Sequence, residues 1–199
     1  MAALGGLLFY PSDQLTLSSW LYHRGEVIVP RVVDSLPESD FAKASDQELI
    51  QKLADQATVS PLKVSFDQAK GDAEETLVDI KNIFGEAMRV NGLRATKAIP
   101  FEGSADLWHL QPSTFDLNPP RGQVVVQRVV VGIDVQTNDS AAATAYMTDQ
   151  IGRIKTYLAR QTAELETFNT AIAGTIAPHG RQRRARLEAA AQLRKTLQQ

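Results

Sequence analysis

The sequence predicts an α+β protein: an antiparallel sheet of about five strands, with N-terminal helices and a long C-terminal helix packed across it that ends in a basic helix. Three observations predict this. Between 61 and 136 apolar residues alternate with polar ones or crowd into β-branched runs, as in half-buried and buried strands. From 139 onward apolar residues return at steps of three and four, the period of one helix face. Ahead of both, Ser45-Asp46-Gln47-Glu48 forms a capping box in front of Leu49, Ile50 and Leu53.

Taken in order, the apolar run 2–10 lacks the basic flank of a leader peptide and carries two glycines, so it reads as a buried or partner-facing end. After Ser12, residues Leu15, Trp20, Leu21, Val27 and Ile28 give a mixed helical pattern that should kink or break at Gly25 and Pro30. The stretch after Pro30 is a second helical segment or an extended piece, and Pro at a first turn favours helix. The capped helix at 45 should end near Thr58. Strands are expected at 62–66, 76–81, 84–90, 93–101 and 123–136, with an exposed loop at Gly71, a type I′ hairpin at Asn91-Gly92 and a bulge at Gly132. Asp139 or Ser140 should cap the long helix, and Pro178 and Gly180 should break it. The resulting organisation is an N-terminal helical segment over 1–60, sharing one core with the sheet and long helix of 61–177, followed by a basic helix at 178–199.

Composition bounds the chemistry. With 43% hydrophobic and 22% charged residues and a net charge of -2 over 199 residues, the chain is ordinary for a globular protein, and any electrostatic role must be local. It has no cysteine, which excludes disulfides, thiolate catalysis and cysteine-ligated metal. No window approaches the roughly 20 apolar residues that span a bilayer, and a cytoplasmic location is expected. The sequon Asn138-Asp139-Ser140 reads most simply as a helix start.

The catalytic signals are weak. His23, His109 and His179 show no paired metal-ligand spacing, and no nucleophile elbow, dinucleotide loop or phosphate loop is present. Asp67 with Asp79-Ile80-Lys81 matches the acid and lysine set of a metal-dependent nuclease, but acid-x-Lys triplets arise readily by chance and charges on a strand edge also discourage sheet pairing. No catalytic residue, cofactor or metal is therefore assigned. Two surfaces remain. Arg181, Arg183, Arg184 and Arg186 form a basic cluster suited to phosphate or to a plain solvated helix, without the aromatic interleaving that stacks bases. The stripe Met147, Ile151, Ile154, Leu158, Leu165, Phe168 and Ile172 is either a face packed on the sheet, with Gln161 at its margin, or an intermolecular coiled-coil seam with Gln161 fixing register.

The segment 99–122 is punctuated by Pro100, Gly103, Pro112, Pro119, Pro120 and Gly122, which fixes an irregular path, with Phe101, Trp108 and Phe115 as aromatic anchors. Trp108 and Phe115, among Leu107, Leu110 and Leu117, should plug the open end of the sheet. The runs Ile99-Pro100-Phe101-Glu102-Gly103, Asp106-Leu107-Trp108, Gln111-Pro112-Ser113-Thr114-Phe115 and Asn118-Pro119-Pro120-Arg121-Gly122 resemble a little-characterised bacterial accessory module. Tyr157-Leu158, Phe168-Asn169 and the arginine-rich start of the last helix extend the likeness, which is strongest over 99–187. That module usually lies N-terminal to a restriction-endonuclease-like PD-(D/E)xK domain. The resemblance implies the accessory half without the nuclease half, and so a sensing, dimerising or effector-positioning role in a bacterial, plausibly anti-phage, system. The expected function is a non-enzymatic interaction module that binds itself or a protein partner through the apolar stripe. Nucleic-acid binding through the arginines and metal-dependent nuclease activity are the alternatives.

Overall fold

The computed structural model describes residues 2–10, 15–81, 84–137 and 139–198, so the expected helix start at Ser12, the sequon's Asn138 and the Lys81 side chain lie outside the described residues. The fold is α+β, and the chain divides into two compact units. Unit 1 comprises Met1–Leu17 and Pro61–Thr162, and unit 2 comprises Ser18–Ser60 and Ala163–Gln199. The boundary thus falls within the long helix, not at 177, and the N-terminal helices share their core with that helix's second part and not with the sheet.

Unit 1 opens with two short strands, β1 (Ala2–Ala3) and β2 (Gly6–Leu7), which bring Leu8 and Phe9 into full burial. In unit 2 follow α1 (Leu17–His23, whose first residue closes unit 1), a π-helical turn at Arg24–Ile28, α2 (Val29–Ser35), α3 (Glu38–Lys43) and α4 (Asp46–Ala57). Gly25 and Pro30 do not break the chain's helical course; Pro30 sits in the first turn of α2, where a missing N–H costs least. The capping box forms as expected: the Glu48 amide donates to Ser45 Oγ at 3.3 Å, and Glu48 Oε2 accepts from the Ser45 amide at 2.8 Å. The helix ends at Thr58, whose amide bonds to the Ala54 carbonyl.

The sheet contains seven strands among the described residues, adding β3 (Lys63–Val64), β4 (Lys70–Lys81), β5 (Ala87–Glu102), β6 (Arg121–Val125) and β7 (Arg128–Gln136) to the first two. Its order is β2-β6-β7-β5-β3, with β1 paired to β7 and β4 to β5, all antiparallel. Several expected boundaries move. The strand at 62–66 shrinks to two residues because Phe66 opens a 3-10 turn at Phe66–Gln68. Gly71 belongs to β4, opposite Lys97, and not to a loop.

Asn91-Gly92 is no turn. The two strands expected on either side of it are one strand, β5, in continuous register with β4 from Lys70↔Ala98 to Lys81↔Ala87. The glycine is required by close approach: a Cβ at Gly92 would lie 2.3 Å from Val78 Cγ2 and 2.5 Å from the Val135 carbonyl oxygen. Conversely, the valine-rich run 123–136 is two strands, folded back at Val126, which takes φ 55. Gly132 is not bulged; it pairs in register with Thr96 and leaves room for Leu4, whose Cδ1 would be 2.6 Å from a Cβ there. Finally α5 (Ser140–Leu197) runs unbroken through Pro178 and Gly180, against the expected break.

Candidate functional site

Within unit 1, β7 pairs with β5 only from Gly92↔Gln136 onward, whereas β4 accompanies β5 to Ala87. Residues 77–81 and 87–91 therefore form a two-stranded ribbon continuing past the end of β7. Such a ribbon is marginal in water on its own. Here Val78 anchors it, packed over the bare backbone of Gly92 and 2% exposed. Asp79 and Arg89 face each other across the strands at 3.0 Å, both 73% exposed, which adds little stability. The side chains of Leu77 (59%), Met88 (46%) and, before β5, Phe84 (81%) are left open to solvent. At the ribbon's base Arg94 donates to both Asp134 oxygens, at 2.9 and 3.0 Å, and lies 3.8 Å from Glu74. The Asp134 hydrogen bond and charge hold the Arg94 pKa above its already high ordinary value. This ladder of alternating charge across β4, β5 and β7 fixes the root of the ribbon.

The segment 99–122 is a scaffold whose parts are held by α5. Trp108 is fully buried in the 3-10 turn Ala105–His109, tilted on Phe9 (ring centroids 5.2 Å) and edge-on to Phe101 (5.4 Å). Phe9 stacks in turn on Tyr157 at 5.4 Å. Tyr157 Oη accepts from the Asp116 amide and donates to the Asp116 carbonyl, both at 2.9 Å. Gln161 is 1% exposed and donates Nε2 to the Leu107 and Leu110 carbonyls at 2.8 and 3.3 Å. It is neither a margin residue nor a register pin: it caps the 3-10 turn from inside the core. Pro112, Pro119 and Pro120 are buried, and Gly103 takes φ 110. Two expected plug residues are displaced, with Phe115 48% and Leu117 98% exposed, because Leu8, Phe9 and Tyr157 fill the place assigned to them.

The apolar stripe of α5 is spent inside the chain, which corrects its reading as a seam for a second surface. Met147 and Ile154 are buried in unit 1, with Ile151 and Leu158 half-buried. Leu165 and Ile172 are buried in unit 2, where Phe168 packs on the same core as Val29, Val33, Phe41, Leu49 and Leu53. Two of the four arginines of the basic cluster are paired with acids, as is Arg194 beyond it. Arg184 donates to Asp46 and to the Phe41 and Ala44 carbonyls, Arg186 pairs with Asp34, and Arg194 pairs with Glu38. Arg183 is half-buried and Arg181 exposed. Asp79, the acid of the nuclease reading, is held by Arg89, and Asp67 lies in the 3-10 turn after β3. His23 and His109 are exposed and His179 is half-buried on α5. Among the described residues no three acidic or histidine side chains gather as a metal site, and no helix is long and apolar enough to cross a membrane.

The ribbon is what sequence reasoning missed. Its only signal was the alternation of Leu77, Asp79 and Lys81, hidden once Asn91-Gly92 was taken for the turn. Compared with protein-family models, with curated proteins and with solved structures, the chain matches none of them.

Proposed function

We propose that this protein is a non-enzymatic interaction module of the cytoplasm that associates through the β4–β5 ribbon, with a second copy of the chain as its first partner. One observation carries the reading: a ribbon rooted by Val78 over Gly92 continues beyond β7 and holds Leu77 and Met88 in solvent. Exposed apolar side chains mark interaction surfaces, and the register Leu77↔Asn91 and Ile80↔Met88 gives one to each face of the ribbon. The outer edge of β4 carries Asp72, Glu74, Glu75 and Asp79, so edge-to-edge addition of a second copy would oppose acid to acid. Face-to-face contact escapes that repulsion: the face shared by Ile80, Met88 and Val90 lies opposite the one bearing Asp79 and Arg89, and a two-fold axis would set Met88 of one copy against Met88 of the other. The setting implied by the resemblance, an accessory or sensing part of a bacterial effector system, belongs to the same proposal.

Light scattering over a concentration series tests it, comparing the native chain with the double substitution Leu77→Ser, Met88→Ser. Association in the native chain that the substitutions abolish, at unchanged circular dichroism, supports the proposal. A strict monomer, or an oligomer indifferent to both substitutions, overturns it.

A further inference from the structure

The helical core of unit 2 contains a half-open cavity of about 170 Å³. Its wall is apolar, formed by Val29, Val33, Leu53 and Ile176, with Ile28 and Val32 at its partly exposed rim. Two polar groups reach it, Gln56 and Arg24. The π-helical turn Arg24–Ile28 produces this arrangement. A π turn is one residue wider than an α turn and is retained mostly where function or close packing requires it. Here it brings Gly25 against Phe168, with 3.7 Å from a notional Cβ to Phe168 Cε2, while Arg24 and Ile28 line the opening. Arg24 is steadied in place: its Nε donates to the Ala57 carbonyl at 3.0 Å, and its guanidinium carbon lies 5.6 Å from the Trp20 ring centroid.

A guanidinium carries five N–H donors and never loses its charge, and only one of those donors is spent on Ala57. The remaining fork suits a planar carboxylate, which it can bind through two parallel hydrogen bonds. The size of the apolar space sets the rest of the ligand, since an engineered cavity of about 150 Å³ lined by aliphatic and aromatic side chains takes up benzene. We propose that unit 2 binds a small organic acid, with an apolar body about the size of one aromatic ring in the cavity and its carboxylate on Arg24. The site is independent of the ribbon, so either proposal can fail without the other.

Benzoate is the probe, with toluene as its neutral counterpart, each titrated into the full chain and followed by ¹H–¹⁵N chemical shifts. Saturable shifts centred on Gly25, Leu53 and Ala57, weakened at least tenfold by Arg24→Met and blocked by Val32→Trp at the rim, support the site. Arg24→Lys should fall between, keeping charge without the fork. Toluene binding as tightly as benzoate, scattered shifts, or unchanged affinity in Arg24→Met would each overturn it. The comparison of the two probes needs no substitution, so it decides the matter even if a variant fails to fold.

Discussion

At the scale of single residues, two side chains carry distinct physical burdens. Gln161 donates to two carbonyls from within the core, and Leu107 has a second bond of its own from the Leu110 amide at 3.3 Å. Replacing it by leucine keeps the volume but leaves the Leu110 carbonyl without its donor. Gln161→Leu is therefore expected to lower stability by about 2 kcal/mol, read from the urea midpoint. Glu48 is held below its ordinary carboxylate value of 4.5, first by the Ser45 backbone amide and then by the Ser45 hydroxyl. A pKa depressed by folding gives stability that is complete above the unfolded value and disappears as pH falls through the folded one. The native chain should thus lose stability relative to Glu48→Gln as the pH drops below about 4.5, with no such divergence near neutrality. Denaturant midpoints of both proteins at pH 7 and pH 3.5 check this.

At the scale of elements, legibility followed the range of the forces involved. The α4 cap was readable because Ser45 and Glu48 satisfy each other within four residues, and the apolar period of α5 was readable because it is helical in itself. Asn91-Gly92 misled because its turn preference is local while the demand on Gly92 comes from Val78 on the neighbouring strand. The β6–β7 turn was invisible for the opposite reason: Val126 adopts a left-handed backbone that a β-branched residue disfavours. Pro178 should have ended α5, at a cost of about 3 kcal/mol in a helix interior, yet the helix continues where Ile172 and Ile176 are buried on one side of it. The candidate site inherits these errors, since a ribbon divided by a supposed turn cannot be recognised as one. Gly92→Ala tests the corrected reading. A type I′ turn would also resist alanine, through its positive φ, but would leave Val78 in place, whereas a methyl pressed against Val78 and the Val135 carbonyl should cost about 1–3 kcal/mol and displace the ribbon. Amide chemical shifts of Val78 and Val90 would report that displacement beside the melting temperature.

At the scale of the molecule, charge is arranged to cancel locally. Arg184, Arg186 and Arg194 pair with Asp46, Asp34 and Glu38 within unit 2, which leaves chiefly Arg181 and Arg183 of the cluster to displace counterions from a polyanion. Duplex DNA binding followed by fluorescence anisotropy should accordingly be weak, with a log–log salt slope smaller in magnitude than about 2. A slope of about 4 or more, removed by joint alanine substitution of Arg181, Arg183, Arg184 and Arg186, would reinstate the phosphate-binding reading. β4 raises a different concern. It is paired with β5 alone among the described strands, and twelve residues of open backbone edge are a template on which further chains can grow. Its acids then act as gatekeepers against fibril formation, and drift of Asp72, Glu74 or Glu75 toward neutral residues would first appear as lost solubility in a protein whose native architecture is otherwise intact.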